Sequence, residues 1–343
     1  MYQTILRLGL LFALMACDEA PDVDAEKGSA PFVVDTVATY GSAEGPLNEV
    51  FGLVQHAAPG DDGRLYAVDD FLKLIRVVEQ SNLRHVVDFG GPGPGPLEFQ
   101  SPMGIASLPG GRIVVGDAGR TFKVLDFATD SAVLVSTFTT PFKADDFCSL
   151  DGELFIRGWN ETGLIHKVSP AGEALGSFGH SWQSENPLTR QERSEGVIGC
   201  HDDADVVVAM FHFDPRIFAY SADGDSLWVS RIPDYHQARI EEGTTPTGRP
   251  SITFFDDPPH DMAASIVPFG SDQLLIQVAL ITTVDDVRTP VFRMYMVSVH
   301  DGHVRPVADR VPLLLSADAP RLFMADIMPF PRLVAVELRE VGQ

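Results

Sequence analysis

Residues 232–261, "IPDYHQARIEEGTTPTGRPSITFFDDPPHD", hold the densest run of side chains that could do chemistry. Carboxylates beside imidazoles can bind a divalent cation, and aromatic rings can contact a ligand. Both kinds occur here, at Tyr235, His236, Phe254, Phe255, Asp256, Asp257 and His260. We expect these residues to belong to a binding face without a cofactor, and calcium is the alternative. The simpler interpretation is a polar loop held in place by its two phenylalanines.

A second acidic run, "CHDDAD" at 200–205, also resembles a metal site. Its Asp202 and Asp203 fall in a short turn between two predicted strands, where aspartate is common because it bonds to nearby backbone N–H groups. We therefore interpret them as turn residues. Trp159 and Trp182 lie in or beside longer loops, where each ring could serve a sugar or peptide, or simply pack against the protein.

The stretch "VVDFGGPGPGPLEFQSPMGIASLPGGRIVVGD", residues 86–117, alternates glycine and proline between two strand-like runs. A phosphate-binding loop needs consecutive backbone N–H groups that point at the anion. Proline has no N–H, so every second donor is missing, and no Gly-Lys-Ser or Gly-Lys-Thr follows. The loop is therefore a joint between strands rather than a nucleotide site.

The same order of parts occurs in residues 33–69, and Gly45-Pro46-Leu47 lies 50 residues before Gly95-Pro96-Leu97. Weaker copies of the pattern cover 147–179, 198–232 and 265–310. Each copy splits into four short apolar or alternating runs, with tight turns such as Ala222-Asp223-Gly224 between the third and the fourth. Four-stranded units that recur every 40–50 residues predict an all-β propeller.

Residues 86–126 resemble the NHL-type repeat of six-bladed β-propellers. They carry its phenylalanine–glycine, its Gly/Pro loop with Glu-Phe, its Pro-x-Gly-Ile-Ala, and its apolar strand that ends in Asp. The resemblance is close in this copy, fair in 33–79 and limited to pattern afterwards. It implies six blades of four antiparallel strands over residues 32–343.

The two ends of the chain are expected to close the ring. Phe32 to Tyr40 matches the fourth, outer strand of a blade, and Leu322–Ile327 and Leu333–Arg339 are predicted as the inner strands of that blade. Pairing the ends removes an exposed sheet edge. Residues 340–343 leave no room for a further strand, so the last blade has three strands or the chain is shorter than its relatives.

Loop lengths indicate where function lies. The long segments 90–101, 180–195 and 232–261 join blades, and 282–290 joins a second strand to a third. In a propeller all four positions fall on one face, and long loops are usually functional. We expect that face to bind the partner and Trp182 to belong to it. The residues expected near the mouth of the central tunnel are Tyr235, His236, Phe254, Phe255 and Trp182.

The N-terminal residues indicate where in the cell the protein is located. "MYQTILRLGLLFALMAC" has one charge, an apolar run too short to span a bilayer, and Leu14-Met15-Ala16-Cys17, which resembles a bacterial lipobox. We expect a signal peptide over 1–16, lipid attachment at Cys17, and an acidic tether over 17–31. The resemblance implies a cell-envelope protein on the extracytoplasmic side of a membrane, held there only by its lipid.

The remaining cysteines, Cys148 and Cys200, occupy equivalent positions on the innermost strands of consecutive repeats. An exported protein can form a disulfide, and the bridge needs Cα atoms within about 7 Å. Adjacent inner strands belong to different sheets and diverge, so two buried thiols are the alternative.

Composition excludes one class of partner. The net charge is −23, and no cluster of lysine and arginine offsets it, so we expect no nucleic-acid binding. Gluconolactonase-like and paraoxonase-like propellers hold calcium in the tunnel with Glu, Asn and Asp. The residues before the inner strands here give no Asn pair: Glu49, Gln100, Asp145, Glu195 and Asp261.

These observations favour a monomeric propeller that binds an envelope protein or a small extracytoplasmic ligand. The alternatives are a calcium-dependent hydrolase or lactonase, and a structural subunit of a larger envelope complex. No Ser-His-Asp arrangement or Gly-x-Ser-x-Gly motif is present.

Overall fold

The computed structural model describes residues 32–127, 131–255, 257–284 and 287–340. In these ranges the chain forms six antiparallel sheets of four strands, arranged in a ring, with one additional hairpin and one α-helix. This is a six-bladed β-propeller, the fold that the repeated runs predict. No helix within these ranges is long and apolar enough to cross a membrane.

The chain enters with strand β1 (Phe32–Tyr40), which belongs to the last blade. Blades 1, 2 and 3 then follow from the inside outward: β2 (Val54–Pro59), β3 (Arg64–Asp69), β4 (Leu74–Glu79) and β5 (His85–Gly90); β6 (Pro102–Leu108), β7 (Arg112–Asp117), β8 (Thr121–Asp126) and β9 (Val133–Thr139); β10 (Asp146–Leu150), β11 (Glu153–Asn160), β12 (Gly163–Val168) and β13 (Ala174–Phe178).

Helix α1 (Pro187–Ser194) lies between blades 3 and 4, and a hairpin of two strands lies between blades 4 and 5. The strands from blade 4 onward are β14 (Gly196–His201), β15 (Val206–Phe211), β16 (Arg216–Ser221) and β17 (Ser226–Arg231); the hairpin strands β18 (Arg239–Thr244) and β19 (Pro250–Phe255); β20 (His260–Phe269), β21 (Gln273–Val284), β22 (Val287–Ser298) and β23 (Val304–Val311); β24 (Leu313–Asp318), β25 (Arg321–Asp326) and β26 (Arg332–Glu340).

The core is a ring of interfaces between blades. The inner strands contact one another in the order β2, β6, β10, β14, β20, β24 and back to β2. Six clusters of buried apolar side chains lie one between each pair of neighbouring blades. Because each sheet buries both faces, the inner strands read as apolar runs, and the outer strands alternate.

The ends of the chain close the ring as predicted, but the last blade is complete. Strand β1 pairs antiparallel with β26, so blade 6 has the order β24-β25-β26-β1. The predicted inner strands at 322–327 and 333–339 are the second and third strands of this blade. The innermost strand, β24, was missed because only Pro312 separates it from β23, with no turn sequence to mark the boundary.

The long connections share one face, which we call the long-loop face, and the tight hairpins share the other, the short-hairpin face. Two of the predicted loops contain regular structure: 180–195 contains α1, and 232–261 contains the β18–β19 hairpin. The prediction of a loop at 282–290 is wrong, because β21 and β22 continue as a paired hairpin to Val284 and from Val287.

The Gly/Pro stretch connects blade 1 to blade 2, and a side chain of the stretch itself holds it in place. The Glu98 carboxylate folds back into the loop, where Oε2 accepts a hydrogen bond from the Gly95 N–H at 2.9 Å. A Cβ at Gly95 would lie 2.8 Å from the same oxygen, and one at Gly93 would collide with it. Lys123 Nζ donates to the Gly95 carbonyl at 3.1 Å. The glycines therefore make room for Glu98.

In the structure, Cys148 on β10 and Cys200 on β14 are joined by a disulfide, with their Cα atoms 5.6 Å apart. Divergence of the inner strands does not prevent the bridge, because β10 and β14 are still in contact at this point. The apolar cluster between blades 3 and 4 is the smallest of the six, with seven buried side chains. The disulfide thus connects the two blades whose shared cluster has the fewest buried side chains among the described residues.

Candidate functional site

A cavity of about 310 Å³ opens on the long-loop face between blade 2, blade 3 and α1. This volume is at the lower end of the range for small-molecule sites. Its walls come from the β7–β8 turn, the loop before β10, the end of β11 with its turn, and the helix. The lining residues are Arg120, Pro141, Phe142, Lys143, Asp145, Trp159, Asn160, Glu161, Gln191 and Glu195.

Helix α1 forms one wall, and its start is encoded locally. The Asn186 Oδ1 accepts hydrogen bonds from the backbone N–H groups of Leu188 at 3.0 Å and Thr189 at 3.4 Å, and Pro187 occupies the first helical position. The helix has eight residues, too few to show a helical period over three turns. The Asn-Pro pair was the signal that could have found it.

A buried ion pair lies beneath the cavity. Arg157, which is fully buried, donates from Nη1 to Asp145 Oδ2 at 3.0 Å, and the Asp145 side chain is only 8% exposed. Burial raises the pKa of Asp145 to about 7; Arg157 opposes this rise, and Glu195 adds to it. Asp145 is therefore a carboxyl group that titrates near neutral pH at the wall of an open cavity.

Blade 3 departs from the repeat at this point. The residue that pairs with the first residue of the inner strand is Asp69 in blade 1, Asp117 in blade 2 and Arg157 in blade 3. Asp69 Oδ2 accepts from the Gly52 N–H at 2.8 Å, and Asp117 Oδ1 accepts from the Ser101 N–H at 2.7 Å. These aspartates hold the loops that enter their blades. In blade 3 the equivalent residue, Arg157, places a buried positive charge under the cavity, where it pairs with Asp145.

A second ion pair joins two segments of the cavity wall, the loop before β10 and the end of α1. Lys143, on the loop before β10, lies with Nζ 2.9 Å from Oε1 of Glu195, which follows α1. Although burial disfavours the ammonium ion, the hydrogen bond to Glu195 raises the pKa of Lys143 above its ordinary value. Asp145 and Glu195, which precede the inner strands of consecutive blades, are thus brought together, 50 residues apart in sequence.

The three tryptophans differ in how their rings are used. Trp228 donates from Nε1 to the Val299 carbonyl at 2.8 Å, and Trp182 is covered by the Arg193 guanidinium, 3.6 Å from the ring centroid. Trp159 is half-buried in the cavity wall, and its ring and Nε1 make no aromatic, cation–π or hydrogen-bonding contact with the described part of the chain. Its indole is therefore available to a ligand.

The predicted binding loop lies outside this cavity, at the long-loop end of the inner strand of blade 5. The Tyr235 hydroxyl donates to the His212 carbonyl at 2.7 Å and lies 3.0 Å from the Asp261 carbonyl, and burial raises its pKa. His236 Nδ1 lies 3.0 Å from Oδ2 of the buried Asp261 carboxylate. The His236 side chain is 55% exposed.

The aromatic residues of that loop contact protein side chains. The Phe254 ring lies 5.1 Å from that of Phe213, which in turn lies 5.9 Å from the His260 ring. The Arg239 guanidinium lies over the Phe255 ring, with its Cζ 4.3 Å from the ring centroid. Asp257 is exposed, and Asp256 is outside the described residues. These contacts hold the β18–β19 hairpin, which contributes no residue to the lining of the cavity around Trp159 but packs against α1, where Asn186 Nδ2 donates to the Ser251 carbonyl at 3.2 Å.

A metal site was the other expectation for the loop. Among the side chains that the structure describes, no three of His, Cys, Asp or Glu come together in a group that could hold a metal ion. Asp202 and Asp203 lie in a 3₁₀ turn on the short-hairpin face, where Asp202 Oδ1 accepts from the Asp151 N–H at 3.1 Å. This is the turn role that their spacing predicts.

The buried carboxyls should make stability depend on pH. Burial raises the pKa of Asp146 to about 6, although hydrogen bonds from Ile198 and Phe147 oppose the shift. Because both raised pKa values mean that the folded state binds protons more tightly, the contribution of Asp145 and Asp146 to stability is fullest below about pH 4 and is lost as pH rises to about 7. We expect Asp146→Asn to reduce this fall by about 3 kcal/mol, because the pKa of Asp146 is raised from 3.8 to about 6. Urea unfolding of both proteins across this range would measure it, and equal slopes would contradict it.

No protein-family model matches the sequence, and no curated protein matches it. Solved structures do match. One is a member of the DUF4221 family from Bacteroides vulgatus, with a TM-score of 0.60 and 8% identity over 91% of this chain and 99% of that one. Another is a protein of unknown function from Bacteroides thetaiotaomicron, with a TM-score of 0.56 and 11% identity over 90% of this chain and 76% of that one.

A third similar structure is streptogramin B lyase, with a TM-score of 0.50 and 9% identity over 90% of this chain and 98% of that one. At these identities the similarity shows the propeller fold and nothing of activity. The NHL-type resemblance of residues 86–126 stays a prediction.

Proposed function

We propose that this protein is a lipid-anchored, extracytoplasmic β-propeller that binds a small ligand in the cavity around Trp159. The observation that carries the proposal is an open cavity of about 310 Å³ whose wall holds an indole with no aromatic, cation–π or hydrogen-bonding partner among the described residues. The exposed part of this ring and its free Nε1 contribute little to stability, so their place in the cavity wall is better explained by a ligand.

The topology supports an anchor on the side opposite the cavity. Phe32 pairs with Glu340 at the short-hairpin face, and Tyr40 pairs with Leu333 at the long-loop face. The chain therefore enters the propeller from the short-hairpin face. Cys17 lies outside the described residues, and the 14 residues between it and Phe32 can span at most about 50 Å. An anchor on that side would allow the cavity to face away from the membrane.

A lipid anchor predicts how the protein divides between a detergent phase and an aqueous phase. Full-length protein should enter the detergent phase on phase separation of cell extracts, whereas Cys17→Ser should remain in the aqueous phase, because a lipid chain contributes about 0.8 kcal/mol per buried CH₂. Recovery of both forms in the aqueous phase would contradict lipid attachment.

If the cavity is the ligand site, removal of the Trp159 ring should weaken ligand binding. In a thermal-shift screen of sugars, amino acids, nucleosides and organic acids, at least one class should stabilise the wild-type protein. The same compounds should bind Trp159→Ala at least about tenfold more weakly. Phe71→Ala is the control, since Phe71 is 74% exposed on the same face, in blade 1. Stabilisation that is equal in all three proteins would exclude the cavity as the site.

A hydrolase is the second candidate, because Asp145 titrates near pH 7 at the cavity wall, and general acid–base catalysis needs such a group. The screen distinguishes the two functions if the bound compounds are recovered and their masses are measured by mass spectrometry. A binding protein returns them unchanged, whereas a hydrolase returns them cleaved.

A further inference from the structure

The polar lining of the cavity is mixed in sign and in hydrogen-bonding role. It combines carboxylates, two basic groups and two amides: Asp145, Glu161, Glu195, Arg120, Lys143, Asn160 and Gln191. Carboxylates only accept hydrogen bonds, basic groups only donate them, and amides do both. A ligand that contacts this wall at several points must therefore both donate and accept, as a set of hydroxyl groups does.

The charges nearest the cavity floor are already compensated within the protein. Asp145 is paired with Arg157 at 3.0 Å, and Glu195 with Lys143 at 2.9 Å. A charged ligand group that reached Asp145 would have to compete with its buried pair to Arg157, and the group left behind would lose its partner in a buried place. The other charged lining residues are more exposed and discriminate less: Arg120, Glu161 and the Lys143–Glu195 pair, whose lysine is 59% exposed. An uncharged ligand can bond to the remaining lone pairs and N–H groups while both ion pairs persist.

The apolar part of the wall is aromatic. Phe142 is buried and engaged, with its ring 4.0 Å from that of His166, whereas the half-buried Trp159 ring has no such neighbour among the described side chains. An indole presents a flat apolar surface with a polar N–H at its edge. That surface suits a ring whose faces are apolar and whose edge carries hydroxyls.

From these three features we infer that the cavity binds a neutral saccharide, with a sugar ring against Trp159 and hydroxyls bonded to Asp145, Glu195 and Gln191. The volume of about 310 Å³ accommodates a small sugar rather than the length of a polysaccharide. The inference rests on the proposed function and names the class of its ligand.

The test uses the full-length protein on an array of neutral, anionic and amine-bearing oligosaccharides, with free amino acids and dipeptides tested in solution. Neutral sugars should bind, and Trp159→Ala should lose at least about tenfold in affinity, while Trp159→Phe, which keeps a flat ring, should retain most of it. Phe71→Ala should bind as the wild type does. Matching circular dichroism spectra would show that each variant is folded.

Two further measurements report on charge. Glu195→Gln keeps a hydrogen-bonding group of the same shape, so affinity for a neutral sugar should fall by no more than about fivefold, the equivalent of one neutral hydrogen bond at about 1 kcal/mol. Affinity should also be the same at low and high salt, because only charged partners are screened. A large loss in Glu195→Gln together with strong salt dependence would overturn the inference in favour of a cationic ligand.

The remaining outcomes are distinguishable. If amino acids or charged glycans bind and Trp159→Ala abolishes that binding, the cavity is a ligand site but the saccharide inference is wrong. If neutral sugars bind equally well to Trp159→Ala, the sugar site lies elsewhere and the inference is wrong. If no compound binds the wild-type protein, the inference and the proposed function fail together.

Discussion

A chain that lacks Phe32–Tyr40 is expected to aggregate instead of folding to a soluble monomer. Strand β1 supplies the fourth strand of blade 6 and pairs with β26 through eight residues. It also contributes to two inter-blade clusters, through Phe32 and Val34 on one side and Ala38 and Tyr40 on the other. Its removal leaves the edge of β26 unpaired and two interfaces incomplete, and an unpaired edge is a template for association between chains.

The comparison needs two chains expressed without the anchor, one that starts at residue 32 and one that starts at residue 41. Size-exclusion chromatography and thermal unfolding should show a monomer with one cooperative transition for the first chain and aggregates for the second. A monomeric second chain with the same transition temperature would mean that β1 is dispensable and that the ring does not depend on this closure.

The Cys148→Ser/Cys200→Ser double variant is expected to lose about 4 kcal/mol of unfolding free energy, the chain-entropy value for closing a loop of this length. The two cysteines are 52 residues apart in sequence and connect the blades with the smallest shared cluster. Little other burial at this interface can replace the bridge.

Urea unfolding in the absence of reductant measures the loss. A reductant should lower the stability of the wild-type protein to that of the variant and leave the variant unchanged. Hydrogen exchange should quicken first in β10 and β14. If the wild-type protein is as stable with reductant as without it, the bridge contributes nothing, and the apolar cluster suffices.

The fold was accessible from sequence because each blade carries its own local signals. Turn sequences such as Ala222-Asp223-Gly224 mark hairpins, and the apolar runs between them have strand lengths. Where the chain lacks a turn signal, prediction failed: a single proline, Pro312, separates β23 from β24, and the complete sixth blade was not recognised.

The cavity was only partly predictable, because its walls come from segments that the sequence does not connect. Arg120 and Glu195 line the same cavity from different blades, and the Lys143–Glu195 pair exists only in the folded ring. Local density of aromatic and acidic residues pointed instead to 232–261, where Tyr235 and His236 hold the loop to blades 4 and 5. A loop that is rich in aromatic, acidic and histidine side chains can therefore owe that composition to packing as readily as to a binding site.

A crystal structure of the protein soaked with the glycan that binds most strongly on the array would test the central claim most directly. The account predicts electron density for a sugar ring against the Trp159 indole, with hydroxyls within hydrogen-bonding distance of Asp145 and Glu195 and with the Lys143–Glu195 pair intact. Density on the short-hairpin face or against the β18–β19 hairpin, with the cavity empty, would contradict it.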